Sequence, residues 1–217
     1  MSGRLAAIGI STLLALALAT VTSAYTYTGS AYTNQAIGDG VLGVCFENNS
    51  PVYTHRSILM SGLREWGDAK QITLNSNGRC DGDGSNVEVH WDTAISCSSA
   101  VAYVPRYEPP ILYSSTTITF NSACGSGLFW WGGTVPVPNG QVDAYSVAIH
   151  EMGHAYGLDH TQSVISGEQV MEPSVPCINA SNRVTSLSAD DAAGIRGRYQ
   201  GLGDTSQQFA ASIGCHN

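Results

Sequence analysis

Eleven residues, His150-Glu151-Met152-Gly153-His154-Ala155-Tyr156-Gly157-Leu158-Asp159-His160, constrain this 217-residue chain more than any other stretch. On a helix, positions i and i+4 share a face. His150 and His154 therefore point at one place, and Glu151, about 100° round the helix at 3.6 residues per turn, flanks it. Gly157 can take the left-handed conformation that ends a helix, which turns the chain and brings His160 back. Three imidazole nitrogens leave the fourth tetrahedral position to water, the feature that separates a catalytic zinc site from a closed structural one. The spacing thus assigns His150, His154 and His160 as metal ligands and Glu151 as the catalytic acid–base group. A bare HExxH arises by chance on surface helices. No packing argument predicts the added glycine and third histidine together, and half of the six histidines fall in this window.

The ends of the chain set its context. Residues 1–24 carry one charge, Arg4, and an apolar run of about 15 residues, short of the roughly 20 needed to span a bilayer. With small residues at Thr22 and Ala24, this reads as a secretory signal peptide, so the expected location is extracellular, with no membrane anchor after cleavage. Subtracting 24 from 217 leaves 193 residues, enough for one domain with a real core. That mature part has 17 acidic groups against 8 basic ones once Arg4 is gone, a net charge of −9 with the basic residues scattered. Nucleic acid and anionic membrane surfaces are poor partners for such a chain. Six cysteines, Cys45, Cys80, Cys97, Cys124, Cys177 and Cys215, include no CxxC pair and predict three disulfides; fifteen pairings are open.

Residues 25–44 are rich in Tyr, Thr and Gly without helical period, and are compatible with a loose arm, an edge strand or a short pro-segment. Ile58, Leu59, Leu63 and Trp66 recur at helical steps and predict an amphipathic helix over 57–70. Alternating patterns predict strands at 71–75, 86–91, 101–104 and 116–121. The segment 80–85 holds two Asp-Gly pairs; Asn86 stands where an EF-hand loop requires glycine, so a turn is expected and calcium is not indicated. An aromatic block, Leu128-Phe129-Trp130-Trp131, precedes a Gly- and Pro-rich loop, and apolar positions from Val142 to Met152 give the zinc-motif helix, 141–156, a buried back. Leu187-Ser188-Ala189-Asp190-Asp191 opens with an S-x-x-D capping pattern, and Arg196 and Arg198 close the helix it starts.

The zinc motif with Thr161 after it, Met171-Glu172-Pro173 in the place of a Met-turn, the closing Leu187–Asp191 pattern and the amphipathic first helix together resemble the metzincin zinc peptidases. Within that clan the chain is most similar to the matrixins, the matrix metalloproteinases and their bacterial relatives, over about residues 44–200. The resemblance implies an α+β single domain: a twisted, mostly parallel sheet, a first helix, a central zinc-site helix and a C-terminal helix. It implies a catalytic domain over 45–217, acting as a monomer with one zinc on protein or peptide substrates. Calcium is possible but not indicated. Pro173 stands where astacins and serralysins carry a tyrosine, so no tyrosine ligand is expected, and Thr161 replaces the aspartate of adamalysins. Residues 92–149 lack histidine and no cysteine precedes Cys45, so neither the structural zinc nor the cysteine switch of animal matrixins is expected.

By the same resemblance, zinc polarises the scissile carbonyl and acidifies its water, and Glu151 takes the proton and passes it to the leaving amine. Substrate would lie antiparallel on an edge strand, with 116–121 as the candidate. Residues 161–177 would wall the pocket for the residue after the cut bond, and Met171 would lie beneath the zinc without binding it. The rival reading is an exported zinc-binding adhesion or recognition module without hydrolysis. Its natural mark is a missing general base, and Glu151 is present. An aminopeptidase on the same scaffold would take an acidic third ligand, for which Asp159 and Glu168 compete poorly with His160.

Overall fold

A computed structural model of the protein describes residues 26–28, 30–33, 36, 38, 40–82, 84–92, 101–107, 111–121, 130–133, 137–138, 141–161, 170–172 and 186–199. Four strands lie parallel: β3 (Val41–Phe46), β4 (Thr73–Arg79), β5 (Val87–Asp92) and β8 (Thr116–Asn121). A short strand, β6 (Ala102–Tyr103), closes the sheet antiparallel to β8, giving the order β4-β3-β5-β8-β6. Strict alternation builds one buried face, with Leu42, Val44, Phe46, Val87, Val89, Ile118 and Phe120 essentially inaccessible. The mostly parallel α+β arrangement expected from the sequence is the one observed.

Helices cover that face. After a single turn at α1 (Pro51–Thr54), α2 (Arg56–Lys70) buries Leu59, Leu63 and Trp66 and crosses α3 (Ala144–Ala155) closely. A Cβ on Gly62 would stand 2.6 Å from the Tyr145 carbonyl oxygen, so the crossing needs glycine there. Trp66 contributes more than packing: its Nε1–H donates to the Ile149 carbonyl at 2.7 Å, fixing α2 to the middle of α3. Helix α3 begins later than residue 141 because Val142–Asp143 forms a strand, β10, parallel to Trp130–Trp131 (β9). Asp143 then caps the helix, its Oδ2 accepting from the Ser146 amide at 2.9 Å. The predicted S-x-x-D start of α4 (Ala189–Arg198) is a full capping box between Ser188 and Asp191.

Three sequence expectations require correction. The strand expected at 71–75 runs Thr73–Arg79, because Gln71 is taken by the left-handed end of α2 (φ 55°) and pairing with β3 carries the strand through Asn75, Ser76 and Gly78 despite their poor propensity. Residues 116–121 are not an edge: β8 is paired with β5 on one side and β6 on the other, and among the described residues the edge on that side is β6. Alternation reads alike in edge and interior strands, and only the return of residues 102–103 covers β8. The boundary expected at residue 45 runs through β3, whose Leu42 and Val44 are core residues.

The N-terminal arm is woven in further. Thr26–Tyr27 (β1) pairs antiparallel with Leu158–Asp159 (β11), and Ala31–Tyr32 (β2) runs parallel to Leu112–Tyr113 (β7). Tyr32 is buried, donates its hydroxyl to the Asn86 carbonyl at 3.0 Å, and packs edge-on against Tyr113 and Tyr156. Among the described residues no helix is long and apolar enough to cross a membrane. Residues 1–24, expected as a leader, residues 134–136 of the expected loop, most of 161–177 and the residues after 199 lie outside the described residues.

Of the six cysteines, Cys45 and Cys80 are joined, with Cα atoms 4.9 Å apart; Cys97, Cys124, Cys177 and Cys215 lie outside the described residues. The bond ties β3 to the residue after β4 and closes a loop of 35 residues. Replacing both cysteines by alanine is expected to lower stability by about 3–4 kcal/mol through the freed loop in the unfolded chain. Urea unfolding of the double variant and the parent, with their midpoints and slopes compared, measures it; equal midpoints would show that the loop contributes nothing.

Candidate active site

Helix α3 is apolar on nearly every side and, His154 apart, buried from Ala144 to Ala155, so its polar residues meet protein rather than water. His150 and Glu151 are 4% and 3% exposed. The helix ends at Tyr156, and Gly157 turns the chain at φ 84° with its amide donating to the His154 carbonyl at 2.8 Å. Conformation is only half the reason for glycine. A Cβ there would lie 2.2 Å from the Ser30 carbonyl oxygen, so the arm and the turn fit together only without a side chain. Beyond β11, His160 returns to the two helical histidines, as the spacing requires.

The geometry of the three rings is specific. His154 Nε2 lies 3.1 Å from His160 Nε2, which lies 3.3 Å from His150 Nε2. His150 Nδ1 is 2.6 Å from the Val170 carbonyl and His154 Nδ1 is 2.9 Å from the Leu158 carbonyl. A carbonyl only accepts, so both Nδ1 atoms carry the proton, and in the neutral ring Nε2 is left with its lone pair. Burial, reinforced by the neighbouring imidazole of His154, pushes His150 down to about 3; burial likewise takes His154 down to about 4 and lowers His160. Neutral lone pairs held this close repel one another unless a cation lies between them. The ligand atoms, all within 4.8 Å of one another, fit a metal ion of zinc's preference for imidazole nitrogen.

Beside them Glu151 Oε2 is buried with no hydrogen-bond partner, and burial pushes its carboxyl up to about 8. Glu151 and the three histidines line a cleft of about 290 Å³ together with Thr28, Ser30, Tyr113 and the segment Val101–Arg106. The edge strand β6 is therefore one wall, and the arm another. Arg106 forms an ion pair with Asp159, whose Oδ1 also accepts from the His160 amide at 2.9 Å.

Contacts one layer further out fix the histidines. Val170, whose carbonyl orients His150, donates its own amide to Asp191 Oδ2 at 3.0 Å, and Asp191 belongs to the capping box of α4. Thr161 donates its amide to the Met171 carbonyl at 2.8 Å. Met171 packs under α3 at Gly153, where a Cβ would meet its sulfur at 2.2 Å and Trp66 at 2.7 Å. It thus packs against the helix that carries His150 and His154, while Pro173 and Glu168 lie outside the described residues. Sequence reasoning missed Arg106, Thr28, Ser30 and Tyr113, which approach the site only through long-range pairing and carry no local signature.

A mostly parallel sheet backed by helices, with three imidazoles converging beside a buried carboxylate, defines a zinc-dependent peptidase of the metzincin kind. The family model Peptidase_M10, Matrixin, matches residues 39–200, and the chain belongs to that family, the zinc metalloendopeptidases foreseen from the motif. A search of curated proteins finds no match.

Two outcomes follow from this packing and charge. Gly153→Ala, which raises helix propensity, is nevertheless expected to destabilise by about 1–3 kcal/mol, because the added methyl collides with Met171 and Trp66; denaturant unfolding measures the sign. In metal-free protein, His150 and His154 take up protons more weakly folded than unfolded, so their contribution is complete above about 6.5 and is lost as pH falls toward 4 and 3. Glu151 is raised, so it acts oppositely: its cost grows from about 4.5 to about 8. Melting temperature of the chelated protein should therefore peak near pH 6.5 as far as these groups decide, and Glu151→Gln should remove the decline above that pH and steepen the rise below it.

Proposed function

We propose that the protein is a secreted endopeptidase in which His150, His154 and His160 hold one zinc ion and Glu151 is the general base. The observation that carries this reading is the orphaned Glu151 Oε2, buried in a cleft beside three imidazoles whose Nε2 lone pairs face one another. A zinc ion held by those nitrogens would supply Lewis acidity toward a peptide carbonyl and a nearby water. The nearby positive charge also favours the ionised carboxylate, opposing the burial that otherwise keeps Glu151 protonated. Glu151 then accepts the proton of the attacking water on its carboxylate and returns it to the amine nitrogen as the C–N bond breaks. The Val170 and Leu158 carbonyls keep His150 and His154 in the tautomer that presents Nε2.

Substrate placement follows from the outer edge of β6, a strand that pairs among the described residues with β8 alone. One side of that strand is paired with β8, and the other borders the cleft, so an extended peptide can add to it by main-chain hydrogen bonds. The antiparallel course of the family is assumed for this chain. Export is supported by the apolar, singly charged start of the sequence and by the Cys45–Cys80 bond, which belongs to oxidising compartments.

The test separates base from ligand. Glu151→Ala removes no ligand, so it is expected to keep one zinc per chain while losing about 10²–10⁴-fold in peptide hydrolysis. His154→Ala is expected to lose zinc and activity together. Metal content by mass spectrometry and hydrolysis of a casein-type substrate, with and without chelator, measure both. Chelator-resistant activity, or a Glu151→Ala protein as active as the parent, would sink the metallopeptidase assignment of these residues and favour a binding module.

A further inference from the structure

Arg106 is the one permanent cation among the described residues that line the cleft. Its side chain is 56% exposed, and among the described residues its polar partner is Asp159, through one Nη2. A guanidinium has five N–H donors in a planar fork suited to carboxylates, so a single bond to Asp159 leaves donors for a second acid. The chain as a whole has a formal charge of −8 and repels acidic peptides. Any preference for an acidic substrate must then come from a charge inside the cleft, and Arg106 is the group in place to supply it.

Direction along the cleft is set by the sheet. Arg106 lies three residues beyond the end of β6 (Ala102–Tyr103), on the wall formed by Val101–Arg106. A peptide laid antiparallel on β6 has its N-terminal residues beside the C-terminal end of that strand. Its residues near Arg106 accordingly precede those beside Ala102 and Tyr103. The ion pair with Asp159, the neighbour of His160, keeps the guanidinium close to the reacting end of the cleft.

We propose that Arg106 is a specificity-determining residue that selects peptides with an acidic side chain two to four residues before the bond that is cut. This rests on the peptidase reading above and on an antiparallel substrate. Asp159 tempers the effect, since it shares the same guanidinium. Its Oδ1 also accepts from the His160 amide, and an asparagine oxygen can keep that bond while the competing charge disappears.

The experiment uses zinc-loaded full-length protein and matched peptides with Glu, Gln or Lys at each of the four positions on either side of the cut bond, read as the Glu-to-Lys ratio of kcat/KM. A ratio cancels any general loss of activity. The parent is expected to favour Glu about tenfold on the N-terminal side. Arg106→Ala should bring that ratio near one, Arg106→Lys should keep most of it, and Asp159→Asn should raise it, with added salt shrinking it in every case. Zinc content measured on each variant separates recognition from any loosening of His160. A parent without the preference, a preference confined to the C-terminal side, or an unchanged ratio in Arg106→Ala would overturn the proposal. The same peptides are titrated by fluorescence anisotropy into zinc-loaded Glu151→Ala, alone and with Arg106→Ala. If the parent cleaves nothing, the peptidase reading fails on its own, and the Glu-to-Lys ratio of binding constants still decides for or against Arg106.

Discussion

Everything at the centre of this protein depends on holding three neutral imidazoles with their lone pairs facing one another inside a low-dielectric cavity. Each ring is tied by a different part of the chain. His150 is oriented by the Val170 carbonyl, and Val170 in turn by Asp191 of the α4 capping box. His154 is oriented by the Leu158 carbonyl, available only because Gly157 reverses the chain. The backbone of His160 is held by Asp159, itself paired with Arg106 beside the edge strand. A divalent cation fits this arrangement because burial leaves the imidazoles unprotonated, with lone pairs free to bind it, and its charge would favour the ionised form of Glu151 against the burial that raises that carboxyl.

Such a site needs a rigid helix behind it. Glycine at two positions lets α3 approach its neighbours at backbone distance: Gly62 of α2 faces the Tyr145 carbonyl, and Gly153 of α3 receives Met171 and Trp66. Trp66 adds a buried hydrogen bond to the Ile149 carbonyl, one residue before the first histidine. Close packing of this kind leaves few alternative rotamers, which is how a protein keeps ligand nitrogens placed to within a fraction of an ångström.

The N-terminal arm has a structural part in the same design. Ser30 fills the space that Gly157 leaves open, Tyr32 donates its amide to the Tyr199 hydroxyl, and that hydroxyl donates to the Tyr156 carbonyl at the end of α3. Four tyrosines, 32, 113, 156 and 199, thus join the arm, β7, the end of the zinc-motif helix and α4 into one buried cluster. The arm also lines the cleft through Thr28 and Ser30.

Sequence alone determined that His150, His154 and His160 meet, because helical spacing and one glycine turn are local properties that survive in any tertiary setting. It likewise determined the amphipathic α2, whose apolar steps repeat at 3.6 residues, and the start of α4, whose capping box closes within four residues. Strand existence was legible at Val87–Asp92 and Thr116–Asn121, where β-branched residues alternate. Strand rank was not, since an edge and an interior strand have the same alternation, and only the return of Ala102–Tyr103 made β6 the edge. The arm could not be assigned from composition either: its pairing with Leu158–Asp159 spans more than 120 residues of sequence, as the 129-residue separation of Thr28 and Gly157 illustrates. Arg106 entered the cleft for the same reason. Tertiary structure decided these features because they are set by which distant backbones meet, and no local pattern encodes that meeting.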